Sequence, residues 1–208
     1  MKLRSLVCLA AFAAAGAQAQ ELENGTHYRL ISPAQPTSAA AGEVEVTEFF
    51  QYGCGGCFQI EPHLTAWRES RKPDHVNLVR VHVVWNPLAR LHAQAFYAAE
   101  ALGKSEEMNA AFFDEIHRNG NSLETEAKLA EFFGRFGVEG EEFERAFGSF
   151  SVHAKVQRAD ELMRRYRVAE TPTLVVAGKY LTTGAHAGSY DNWFEIVNRL
   201  AAAEHGEQ

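Results

Sequence analysis

Three cysteines occur in the 208 residues, and two of them form the run Cys54-Gly55-Gly56-Cys57. Two thiols at this spacing can exchange with a disulfide: the first attacks as a thiolate, and the second resolves the mixed disulfide. The attacking sulfur must be ionised near neutral pH. A helix N-terminus promotes that through its unpaired N–H groups and positive partial charge. If a helix starts after Cys54, three residues are nearly one turn, and Cys57 returns beside Cys54. Other uses of the pair fit less well. A structural disulfide across so short a loop removes little entropy from the unfolded chain. A zinc or copper centre calls for a second cysteine pair or for histidines at set spacing. The nearest histidine, His63, lies about 240° round the helix from Cys57, so no metal is expected.

The dithiol has to be positioned by its neighbours. Val44 to Phe50 alternates as a strand should, and Phe58 to Arg71 follows as a helix bent by Pro62, which removes a hydrogen bond. Val76 to Trp85 is valine-rich and reads as a second strand. From Leu88 to Tyr166 the pattern is helical. Leu129, Phe132, Phe133 and Phe136 fall on one face, and Val152, Val156, Ala159, Met163 and Tyr166 continue the theme. Gly103, Gly120, Gly137, Gly140 and Gly148 divide this stretch into several short helices. Thr173 to Ala177 is a strand that turns at Gly178 into Lys179-Tyr180-Leu181, and a last helix from about Ser189 buries Trp193, Ile196, Val197 and Leu200. The class is α/β, a small sheet whose halves are separated by a helical insertion. Glu48 shares strand parity with Val44, Val46 and Phe50 and should point into their core. A buried carboxylate needs a partner, and Arg80, in phase with Val76, Leu78 and Val84, is the natural counter-charge. A solvated pair at a strand edge is the alternative. The remaining histidines and Trp67, Trp85 and Trp193 read as packing and surface residues.

Residues 1–19 have the form of a secretory signal. Lys2 and Arg4 precede an apolar run from Leu6 to Ala17, and Ala17-Gln18-Ala19 is a small-x-small cleavage site. About 12 apolar residues are too few to cross a bilayer that needs roughly 20. Export with cleavage after Ala19 is expected, and Cys8 is discarded with the signal. The remainder carries 18 basic and 27 acidic residues with no basic cluster, which argues against nucleic acid as a partner. One globular unit fits this length, with Ser32 to Gly42 as a loop entering the first strong strand.

Taken together, Glu48-Phe49-Phe50-Gln51-Tyr52-Gly53-Cys54-Gly55-Gly56-Cys57, Gly140-Glu141-Glu142-Phe143 with Ser149-Phe150-Ser151-Val152, and Thr171-Pro172-Thr173 leading to Gly178-Lys179-Tyr180 resemble the DsbA family of periplasmic thiol:disulfide oxidoreductases. The resemblance implies a thioredoxin fold with an inserted all-helical subdomain: signal 1–19, thioredoxin-like parts 20–87 and 166–208, and a helical insertion 88–165. It implies a cis Pro172 facing the dithiol, with Thr171 contacting an extended substrate. The Thr171 hydroxyl would tune the potential and the release of mixed disulfides. It further implies that Glu48 and its basic partner lie beneath Cys57 and serve proton transfer. Arg80 stands where the family has lysine, and arginine does not readily lose its proton, so a relay would rest on Glu48 and water. The departure is Gly55-Gly56, where the strongest oxidants of the family have proline and histidine. A less acidic Cys54 and a less oxidising disulfide are expected.

The implied activity is the introduction of disulfides into exported proteins through Cys54 and Cys57, with Glu48 catalytic and Thr171 and Pro172 binding substrate. The implied partners are exported proteins with free thiols and a DsbB-type quinone-linked membrane protein as reoxidant. The chain would be a periplasmic monomer without an organic cofactor. A disulfide reductase or isomerase, and a peptide-binding chaperone with an incidental dithiol, are the rival readings.

Overall fold

The computed structural model describes residues 21–207, so the signal, its cleavage site and Cys8 lie outside the described residues. The elements follow the chain as β1 (Arg29–Leu30), β2 (Val44–Phe50), α1 (Gly55–Ser70), β3 (Val76–His82), α2 (Pro87–Ala101), α3 (Ser105–His117), α4 (Glu126–Gly134), α5 (Gly140–Phe147), α6 (Phe150–Arg165), β4 (Thr173–Val176), β5 (Tyr180–Thr183), α7 (Gly184–Ala187) and α8 (Tyr190–Gly206). The strands form one sheet in the order β1-β5-β4-β2-β3. β2 pairs parallel with β3 through the α1 crossover and antiparallel with β4, while β4 and β5 form a hairpin.

Every residue of β2 is buried, where alternation had suggested one buried face. The reason is its place between β3 and β4 with helices on both faces. Val44 and Val46 pack with Ile60, Leu64 and Trp67 of α1 and with Phe194 and Val197 of α8. On the opposite face the Phe49 ring lies 5.3 Å from that of Tyr166, the residue that ends α6. The polar residues of that face are satisfied locally: Glu45 accepts from Ser38 N–H at 2.7 Å, Ser38 Oγ at 2.6 Å and Thr47 Oγ1 at 2.8 Å.

Five helices, α2 to α6, fall between β3 and β4, as the aromatic periodicity suggested. Phe112, Phe132, Phe133, Phe143 and Phe147 form their core, which is continuous with Phe49 and Phe50 of the sheet. Other boundaries differ from the sequence reading. α1 begins at Gly55 and not Phe58, because Cys54 itself caps the helix. β3 ends at His82, short of Trp85. The two-residue β1 and the single turn α7 are too short to leave a periodic signal. The β4–β5 turn needs its glycine: Gly178 has φ +65°, and a Cβ there would sit 2.1 Å from the Gln35 carbonyl oxygen. Among the described residues no helix is long and apolar enough to cross a membrane.

Candidate redox site

The site is built around the first turn of α1. Cys54 is the N-cap, with extended backbone (φ −88°, ψ 118°), and Cys57 N–H donates to its Sγ at 3.3 Å. Cys57, Ile60, Leu64 and Trp67 form the buried stripe of the helix. Cys57 is therefore fully buried while Cys54 stays half-exposed, and both are free thiols. Pro62 lies inside α1, as expected, and His63 stacks against Tyr190 at 4.5 Å. Trp67 and Trp193 are buried, whereas Trp85 is exposed.

The loop before β4 closes over the sulfur. The Thr171–Pro172 peptide is cis, and the Cys54 thiol donates to the Thr171 carbonyl oxygen at 3.2 Å. A Cβ on Gly56 would lie 3.2 Å from Pro172 Cδ, so this position leaves little room for a side chain, while Gly55 faces open space.

The two sulfurs have opposite electrostatics. Cys54 is drawn down to about 5 from the ordinary 9.0. The hydrogen bond from the Cys57 thiol is the largest cause; the Thr171 hydroxyl and the N–H groups of Cys57 and Gly56 add to it and outweigh burial. Cys57 is pushed far up, first by burial and then by its proximity to Cys54. The outer sulfur is thereby the ionised one and the inner sulfur the protonated one.

Beneath the dithiol lies a buried charge cluster. Arg80 Nε donates to Glu48 Oε2 at 2.6 Å, and Arg80 Nη1 and Nη2 donate to Glu61 at 3.2 and 2.7 Å. Glu48 is fully buried, so the solvated-edge alternative does not hold. Burial outweighs the attraction of Arg80, and repulsion from Glu61 adds to it, raising Glu48 to about 7. The Glu48 Oε1 atom is buried without a partner, and Glu48 is close enough to Cys57 to raise its thiol further.

Several residues of this site escaped the sequence reading. Glu61 stands four residues after Cys57, one helical turn beneath it, and that spacing was the available signal. Tyr52 donates its N–H to His82 Nε2 at 3.1 Å, accepts from His117 Nε2 at 2.7 Å, and stacks on Phe112 at 3.9 Å. Burial holds His82 down to about 3, so its ring is neutral and can accept. His117 also stacks on Phe58 at 4.7 Å, while Asn109 joins Tyr52 to Glu61. These partners come from β3 and α3, and no local pattern reveals them. Among the described residues no cluster of three or more metal-ligating side chains is present.

A βαβ unit joined to a β-hairpin and helix, with a dithiol capping the first helix and a cis-proline loop against it, defines a thioredoxin-fold thiol:disulfide oxidoreductase. Comparison with known proteins gives the family. The DSBA-like thioredoxin domain family matches residues 86–192. The thiol:disulfide interchange protein DsbA of Burkholderia cepacia is 37% identical over 202 residues, 96% of this chain and 95% of that protein. The DsbA of Azotobacter vinelandii is 34% identical, covering 91% and 84% of the two chains. Among solved structures, Pseudomonas aeruginosa DsbA superposes with a TM-score of 0.82 at 31% identity, covering 88% of this chain and 94% of that one. The chain belongs to the DsbA family, and its fold is a thioredoxin fold with a helical insertion.

Proposed function

We propose that this oxidoreductase works as a dithiol oxidase in the periplasm, after removal of residues 1–19. The asymmetry between the acidic, half-exposed Cys54 and the buried, strongly protonated Cys57 carries this reading. A sulfur that is stable as a thiolate is a good leaving group, which favours the reduced enzyme and makes its disulfide a donor.

In the oxidised enzyme, a substrate thiolate attacks Cys54 Sγ. The Cys54–Cys57 bond breaks, Cys57 departs with the electron pair, and it takes up the proton of the Glu48 carboxyl. Arg80 stays charged throughout and holds Glu48 in place. A second substrate thiolate then attacks the substrate sulfur of the mixed disulfide. Cys54 leaves as a thiolate, and the substrate carries away its disulfide. Two electrons pass from the substrate dithiol to the enzyme. Thr171 and Pro172 line the approach to Cys54 and present backbone to an extended substrate; their place against the sulfur supports that role.

Substrates are exported proteins with free thiols, and reoxidation falls to a DsbB-type quinone-linked membrane partner. The enzyme acts as a monomer, with thioredoxin-like parts 20–87 and 166–208 flanking the insertion 88–165. Gly55-Gly56 makes it a milder oxidant than relatives with proline and histidine there. Oxidation of a reduced, unfolded secretory protein tests this reading. Cys54→Ser should abolish disulfide formation; a variant that still promotes refolding would mark a chaperone instead.

A further inference from the structure

The proton-transfer role of Glu48 leaves open what fixes the charge around it. Arg80 is hydrogen-bonded to both carboxylates, so the hold of Glu61 on the guanidinium decides how much of its positive charge remains for Glu48. Glu61 is only partly buried, with 13% of its side chain exposed, and could turn to water. One residue of the inserted helices prevents that. Asn109 on α3 is buried and donates through Nδ2 to Glu61 Oε1. Its Oδ1 accepts the Tyr52 hydroxyl at 3.2 Å. The Tyr52 backbone is held by His82 and His117 and its ring stacks on Phe112, so its hydroxyl has a fixed place beside Asn109. With its oxygen thus engaged, the Asn109 amide has one orientation, N–H towards Glu61. Glu61 is thereby kept on the Nη edge of the guanidinium, and only Nε is left for Glu48.

We propose that Asn109 is a positioning residue for proton exchange at Cys57: through Glu61 and Arg80, the helical insertion sets the protonation of Glu48. The proposal rests on the reading of Glu48 as the proton donor and acceptor of Cys57. The charged and titratable groups facing Glu48 are Arg80 of β3, Glu61, Arg68 and Cys57 of α1, and Tyr52 before the dithiol. Asn109 is the neutral group that orders them.

Two substitutions remove the donor and nothing else that is charged. Asn109→Leu and Asn109→Ala both free Glu61 to turn outward and leave the Arg80 guanidinium to Glu48, so Glu48 ionises at lower pH.

The test follows the resolving step, in which Cys57 attacks a mixed disulfide between Cys54 and glutathione. Release of glutathione is timed in single turnovers across pH, with the thiolate titration of Cys54 as an internal control. The midpoint should fall by at least about half a pH unit in Asn109→Leu and in Asn109→Ala, roughly threefold in rate on the rising limb. Cys54 should titrate as in the wild type in both. A wild-type midpoint in a folded variant of either kind overturns the proposal. Glu48→Gln separates the two layers: loss of the titration there with no shift at Asn109 leaves Glu48 standing and removes Asn109, whereas an unchanged profile in Glu48→Gln removes the reading beneath both.

Discussion

Thr171→Val tests how the acidity of Cys54 is built. The substitution removes one hydroxyl and keeps a β-branched side chain beside the sulfur. The Cys54 thiolate takes hydrogen bonds from the Cys57 thiol, from the Thr171 hydroxyl and from the N–H groups of Cys57 and Gly56. A hydrogen bond to a charged group is worth about 1.5–3 kcal/mol. The sulfur is half-exposed, and solvent screening reduces this to about 1 kcal/mol. At about 1.4 kcal/mol per unit, Cys54 should titrate roughly 0.7 units higher in the variant. A thiol with a depressed value stabilises the reduced fold above the ordinary thiol range, and the stabilisation is lost as pH falls through the folded value, here about 5. The deficit of the variant is thus complete at neutral pH and disappears below that value. Since 30 mV corresponds to about 1.4 kcal/mol, the reduction potential should fall by about 20 mV at neutral pH. Ultraviolet absorbance of the thiolate against pH gives the first quantity, and equilibrium with glutathione gives the second. An unchanged or lowered Cys54 titration would refute the reasoning and assign the acidity to Cys57 and the helix terminus alone.

Three further outcomes are expected. Arg80→Leu leaves the fully buried Glu48 and its neighbour Glu61 without their counter-charge, and should cost about 3–5 kcal/mol in denaturant unfolding at neutral pH, less in acid. A cost below about 1 kcal/mol would mean that water reaches the pair. Glu48 binds its proton more tightly folded, at about 7, than at its ordinary 4.5, and so contributes stability that is lost as pH rises between those values, against the opposite slope of the buried His82; the stability of oxidised Glu48→Gln should therefore rise with pH relative to the wild type across that window, and parallel curves would contradict it. Gly56→Ala pushes a methyl group to 3.2 Å from Pro172 Cδ and should slow exchange with peptide thiols, whereas Gly55→Ala, facing open space, should exchange at the wild-type rate.

The legible part of the site was local or periodic. Cys54 and Cys57 stand one turn apart in the chain, and strand parity sufficed to bring Glu48 and Arg80 together, because parallel pairing in register places residues of equal phase side by side. The helical insertion was visible through its aromatic periodicity. What stayed hidden depends on how that insertion folds back. Asn109 meets Glu61 across 48 residues, and His117 meets Tyr52 across 65, contacts that follow from helix packing and not from any local pattern. The burial of both faces of β2 was hidden for a related reason: Glu45 and Thr47 mimic a solvent-facing set, yet they are satisfied by Ser38 and each other beneath α6. The donors that lower Cys54 were legible only in part, since the Thr171 hydroxyl reaches the sulfur only once the loop before β4 closes on the helix.

The central claim is that the Cys54–Cys57 disulfide donates its oxidising equivalents, and the most direct measurement is its equilibrium reduction potential in glutathione buffers, on the protein beginning at Gln20. A value well above that of thioredoxin, about −270 mV, is expected from an outer thiolate as stabilised as this one. A value at or below it would contradict the account and make the protein a reductase in need of an electron donor.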